Sequence, residues 1–259
     1  MLNKPNIGLF VLLSICVSLS NAGYASQNNN AHVKNTCVIC HSKISGETFV
    51  GIKSHSWENS IHQEHGITCN QCHGGNPKAI TTAKAHIGVL GSSNPDSGVY
   101  YKNIPKTCGR CHNKELYKYT ESNHFKKLEA TGQGPNCVTC HGSMVTTILT
   151  PDDMANVCDK CHNTRIGVFP YIPEKAKAVL MLLDTEGSLI AADEKIYSSS
   201  KEDMQILQKA KSQFSNAKLE WHAFDLDKIT KYLQNTEEIL KELSKPPVQT
   251  SPVSKQHNK

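Results

Sequence analysis

Cys37-Val38-Ile39-Cys40-His41 is the first of five pentapeptides of one form. Cys69-Asn70-Gln71-Cys72-His73, Cys108-Gly109-Arg110-Cys111-His112, Cys137-Val138-Thr139-Cys140-His141 and Cys158-Asp159-Lys160-Cys161-His162 follow. C-x-x-C-H is the attachment signature of c-type haem. Two thiols add across the porphyrin vinyl groups, and the adjacent imidazole takes the iron from the proximal side. A lone C-x-x-C also serves thioredoxin-like pairs and zinc sites. Five copies, each closed by His and separated His to His by 32, 39, 29 and 21 residues, follow no zinc-ribbon spacing. The sequence therefore predicts five covalent c-type haems. Cys37, Cys40, Cys69, Cys72, Cys108, Cys111, Cys137, Cys140, Cys158 and Cys161 attach them, and His41, His73, His112, His141 and His162 are the proximal iron ligands.

The motifs use ten of the eleven cysteines, and Cys16 lies in an N-terminal apolar stretch, so no disulfide framework is expected. Apolar residues make up 38% and aromatic residues 6% of the chain, thin for a core of 259 residues. Porphyrins supply the missing apolar surface, and the apoprotein is expected not to fold stably. The formal charge of +5 is no sign of nucleic-acid binding. Two propionates per haem shift it by about −5 oxidised and about −10 reduced.

Residues 1–25 read as a secretory signal: Lys4 gives the positive region, Ile7 to Leu19 the apolar run of 13 residues, and Ser20-Asn21-Ala22 or Gly23-Tyr24-Ala25 the small-residue cleavage site. The alternative is a retained anchor, although a span needs about 20 apolar residues. The expected location is the periplasm or another exported site, with membrane contact only if this segment is kept.

Beyond the motifs lies a duplication. Trp57-x-x-Ser60-x-His62 stands between the first and second motifs, and Tyr119-x-x-Ser122-x-His124 between the third and fourth; Gly74 and Gly142 close the units. The repeats run about 37–74 and 108–142, and the motif at 158–162 opens a third unit. Turn signals such as Gly74-Gly75-Asn76-Pro77 and Gly132-Gln133-Gly134-Pro135 punctuate the haem region, about 31–172, predicting short helices and irregular loops. Residues 174–245 form a helical domain. A helix from about Glu174 to Tyr197 precedes a long amphipathic helix. Its stripe is Leu207, Ala210, Phe214, Ala217, Trp221 and Phe224, then, after a slip in register, Leu226, Ile229, Leu233, Thr236, Leu240 and Leu243. The stripe serves intramolecular packing or self-association. Residues 246–259 read as a disordered tail. The fold class is mainly α with an irregular haem-packed core: dihaem repeats followed by a C-terminal helical hairpin or bundle.

Eight histidines lie outside the motifs and can supply the second axial ligand. His62 and His124 occupy equivalent places in the two repeats and lead. His86 and His222 come next. His55, His65 and His32 are further candidates, and Met144 and Met154 are alternatives that would raise the potential.

These residues resemble the superfamily containing the tetrahaem electron acceptor of hydroxylamine oxidoreductase and the haem domains of that enzyme. Trp57-x-x-Ser60-x-His62 before Cys69–His73, His124 before Cys137–His141, and Cys158–His162-Asn163 carry the resemblance, which covers about residues 31–170. It implies packed haem pairs, mostly bis-His iron, and electron transfer between periplasmic redox proteins, in a setting of nitrogen-compound respiration. It also implies export, since such haems are attached outside the cytoplasm. No C-x-x-C-K occurs, so the lysine-ligated haem of pentahaem nitrite reductases has no counterpart. An electron carrier is expected rather than an enzyme. The alternatives are a small oxidoreductase acting on hydroxylamine, nitrite or nitric oxide at one open haem, and a membrane-tethered quinol dehydrogenase subunit.

Overall fold

A computed structural model describes residues 35–243. The signal segment 1–25, the tail 246–259 and His32 lie outside the described residues.

Among the described residues the chain is mainly helical, without a strand. The haem region consists of α1 (Thr36–His41), α2 (Phe49–Glu58), α3 (Ile61–Glu64), α4 (Asn70–His73), α5 (Thr82–Ala85), α6 (Ile104–Cys108), α7 (Asn113–Glu121), α8 (Asn123–Thr131), α9 (Cys137–His141) and α10 (Pro151–Asp159). Three longer helices follow: α11 (Ile172–Tyr197), α12 (Lys201–Glu220) and α13 (Leu226–Leu240). The first ten are short because turn chemistry stops them. Gly132, left-handed at φ 70°, ends α8 by returning its N–H to Leu128 O. Asn136 and Thr139 then form a capping box that opens α9.

The apolar core lies in the C-terminal part. Met154, Ala176, Val179, Leu183, Ala217, Leu226, Ile229 and Leu233 form one cluster, with α10 laid on α11 and α12 paired with α13. Met154 is therefore spent on packing. The long amphipathic helix expected to carry the stripe from Leu207 to Leu243 is two helices. The register slip is a chain reversal: a 3-10 turn, Trp221–Ala223, leads into Phe224 at φ 60°, and the Asp225 side chain accepts from Lys228 N to restart the helix. A left-handed aromatic residue costs roughly 1–2 kcal/mol, but the reversal lets both halves of the stripe bury on one core. Leu207, Ala210 and Ala217 on α12 and Ile229, Leu233 and Thr236 on α13 are buried within the chain. Those side chains are thus engaged internally.

The described residues fall in one compact unit. α7 packs on the 3-10 turn and on α12, and α10 brings Cys158 against the core. No described helix is long and apolar enough to cross a membrane.

Candidate haem sites

Each motif begins in or at the end of a short helix; side chains cap the starts of α1, α9 and α10, whereas α4 and α6 start without a side-chain cap. The Asn35 side chain accepts from Cys37 N at 3.0 Å and donates to Thr68 Oγ1 at 2.8 Å and Asn70 Oδ1 at 3.0 Å, tying the first motif to the second. Thr36 N adds a bond to Pro77 O at 2.8 Å. The second and third motifs touch directly: Arg110, between the cysteines of one, donates to the carbonyl of Gln71, between the cysteines of the other. α6 packs on α9, and α9 on α10, joining the third motif to the fourth and the fourth to the fifth. The motifs therefore follow one another in space in sequence order.

The duplicated segment has one job in both repeats. Ser60 Oγ donates to Trp57 O at 2.7 Å and accepts from Gln63 N at 3.2 Å. Ser122 Oγ donates to Tyr119 O at 2.7 Å and accepts from Phe125 N at 3.1 Å. The serine caps the helix whose second residue is the histidine. The aromatic tip grips the chain two residues before the next motif: Trp57 Nε1 donates to Ile67 O at 3.0 Å, and Tyr119 Oη to Pro135 O at 2.5 Å.

Three pairs of imidazoles face each other across gaps of one size. His41 and His86 have ring centroids 6.0 Å apart, His62 and His112 6.1 Å, and His124 and His162 6.0 Å. An imidazole–metal bond is about 2.0–2.1 Å, so two rings sharing one metal stand roughly 6 Å apart centroid to centroid. Each pair joins a motif histidine to one outside the motifs. The histidine of each repeat faces the motif that follows that repeat: His62 the third motif and His124 the fifth. His222 has His141 and His112 within electrostatic reach, and His112 already faces His62.

The ring nitrogens fit a metal. Nδ1 of His86, His141 and His162 lies 2.8, 2.9 and 2.9 Å from the carbonyls of Thr82, Thr147 and Val168, so each can donate there and leave Nε2 free. Nδ1 of His124 and of His222 is buried without a hydrogen bond; the Leu219 carbonyl lies near His222 but makes none. Burial holds His62, His73 and His222 below the usual imidazole range and pushes His124 down to about 4. Neutral imidazole is the ligating form.

In redox pairs and zinc sites the thiolate is favoured, whereas six of the motif thiols here are pushed the other way. Burial raises Cys37, Cys69 and Cys158 and pushes Cys140 up to about 11. Cys108 and Cys137 bring their thiols together, which raises the first and lowers the second. None of the ten motif cysteines is in a disulfide, and among the described residues no three His, Cys, Asp or Glu side chains converge as a zinc site requires. Large apolar side chains stay exposed beside the motifs: Phe49, Ile80, Ile87, Ile148 and Phe169. A porphyrin face is the surface such side chains cover. The donor set fits haem.

The other candidates stand apart. His55 is exposed and paired with Glu58 at 3.0 Å, His65 is the exposed C-cap of α3, and neither enters a ring pair. His73 lies near His41 but faces no ring among the described residues. Unmarked by any motif is Glu220, 4% exposed, whose carboxylate takes Lys118 at 3.1 Å and Lys228 at 3.0 Å. Its one sequence signal is an acid three residues after Ala217, on the apolar stripe. Phe224 is the other: its ring meets His124 edge-on at 4.4 Å.

No curated protein and no solved structure matches the chain. Residues 95–164, which hold the third, fourth and fifth motifs, match the family model for cytochrome c7 and related cytochrome c. With paired imidazoles beside C-x-x-C-H motifs, this makes the chain a multihaem c-type cytochrome, an electron-transfer protein with a cytochrome c7-like segment.

Proposed function

We propose that the protein is a pentahaem carrier of the periplasm that passes electrons between redox partners in nitrogen-compound respiration. The observation that carries it is the set of imidazole pairs at one spacing, each joining a motif histidine to a distant one. When bound, each haem supplies a one-electron couple tuned by its axial ligands and burial. The ten motif cysteines hold the groups. His41 with His86, His112 with His62, and His162 with His124 would hold the irons. His222, within electrostatic reach of His141, would complete the ligation of the fourth haem. Backbone carbonyls orient His86, His141 and His162 through Nδ1. The Asn35–Thr68 and Arg110–Gln71 contacts keep successive motifs together, as a single-electron relay needs. The hydroxylamine oxidoreductase-like resemblance supports the nitrogen setting, and the apolar run at residues 7–19 supports export.

Two measurements on the native protein test this. Intact mass must exceed the polypeptide by five haems. Electron paramagnetic resonance (EPR) of the oxidised protein must be dominated by low-spin iron, with carbon monoxide binding the reduced protein at no haem other than that of the second motif, whose His73 faces no ring among the described residues. Strong carbon monoxide binding together with turnover of hydroxylamine or nitrite would favour an oxidoreductase instead.

A further inference from the structure

We propose that Glu220 is the positioning residue that aims His222 at its iron, by tying the end of α12 to α7 and α13 through Lys118 and Lys228. The inference rests on the reading of His222 as the ligand opposite His141.

A ligating histidine is ordinarily oriented by a hydrogen bond from its other ring nitrogen. His86, His141 and His162 have carbonyls in place for this. At His222 the Leu219 carbonyl is near, but Nδ1 is buried without making a hydrogen bond. Its orientation must come from the backbone that carries it. That backbone is the 3-10 turn Trp221–Ala223, pinned at both ends. At the exit, the ring of Phe224 is wedged edge-on between His124 and Tyr119 at 4.4 and 6.4 Å. At the entry stands Glu220, two residues before His222. Its two carboxylate oxygens each hold one ammonium, from Lys118 on α7 at 3.1 Å and from Lys228 on α13 at 3.0 Å. Lys118 is itself braced by Glu121 at 2.9 Å. A buried ion pair is a poor source of stability compared with apolar packing, and its best-attested use is to fix one arrangement among several. Here it fixes the turn against α7, the helix between the third motif and the repeat segment that ends in His124.

The test compares purified holoprotein variants with complete haem content and native far-ultraviolet circular dichroism. His222→Ala should turn one haem in five high-spin by EPR. Glu220→Gln, which keeps the shape and removes the charge, should turn a smaller share of the same haem high-spin and shift the midpoint potential of that haem alone. Lys228→Met, on a half-exposed side chain, should do the same more weakly and decides the matter if Glu220→Gln does not load haem. Glu237→Gln, which breaks an exposed pair with Lys241 on α13, should leave the spectrum unchanged. Wild-type spin states and potentials in Glu220→Gln and Lys228→Met, with His222→Ala high-spin, would overturn the positioning role and leave the ligand in place. Wild-type spin states in His222→Ala would remove the ligand assignment and the positioning role with it.

Discussion

The serines of the two repeats show how one side chain links helix start to site geometry. Ser60 and Ser122 are 1% and 3% exposed, and each satisfies a backbone donor ahead and a backbone acceptor behind. Each sets the first turn of the helix that presents His62 or His124. Alanine at an N-cap costs about 1 kcal/mol, and here it also leaves a buried backbone N–H unpaired. Ser60→Ala and Ser122→Ala should each lower holoprotein stability by about 1–2 kcal/mol in chemical denaturation. The high-spin signal should rise at a single haem, that of the third motif for Ser60→Ala and that of the fifth for Ser122→Ala. A signal at the second or fourth motif would contradict the pairings. The serine, the aromatic and the histidine could all be read from the repeat. Which motif histidine each one faces could not, because the rings that meet belong to residues far apart in the sequence, His62 with His112 and His124 with His162.

Helix α11 carries a charge where its neighbours want none. Glu186 is 8% exposed, and its Oε2 has no hydrogen-bond partner. Burial pushes its carboxyl above the ordinary value of 4.5, the Glu237 charge adds to the push, and the Lys241 charge offsets part of it. An acid whose folded pKa exceeds its unfolded pKa costs nothing where both states are protonated. Stability is therefore greatest below about 4.5, falls as pH rises from there through the raised folded value, and stays low above it. Glu186→Met removes the buried carboxyl. It should stabilise the protein by about 1–3 kcal/mol at neutral pH, with the gain vanishing near pH 4. Thermal melts at the two pH values check both parts. The stripe on α11–α13 was plain in the sequence, since periodicity depends only on residue order. The break at Phe224 was not: an aromatic residue in left-handed conformation has no sequence signature, and only the shared core makes it worthwhile.

On the scale of the whole molecule, apolar burial is uneven. The C-terminal helices have a core of their own, whereas among the described residues Tyr119 and Leu128 are the large apolar side chains buried between α1 and α9. Without haem attachment, the two parts should behave differently. Protein expressed without haem should keep much of the helicity of α11–α13, while proteases cut readily across residues 35–150. Uniform protection of both parts would show that the haem region needs no cofactor to fold. The chemistry was settled by the order of residues alone: C-x-x-C-H puts two thiols and an imidazole within one helical turn, so covalent geometry suffices and no tertiary contact is needed. The turn signals and helical periodicity were settled the same way. What the tertiary structure decided is every relation between residues far apart in the chain: which imidazoles face each other, that the motifs touch in sequence order, and that a buried carboxylate clamps the turn bearing His222. Such relations depend on how helices pack in three dimensions, and side-chain packing carries no period that a linear sequence could reveal.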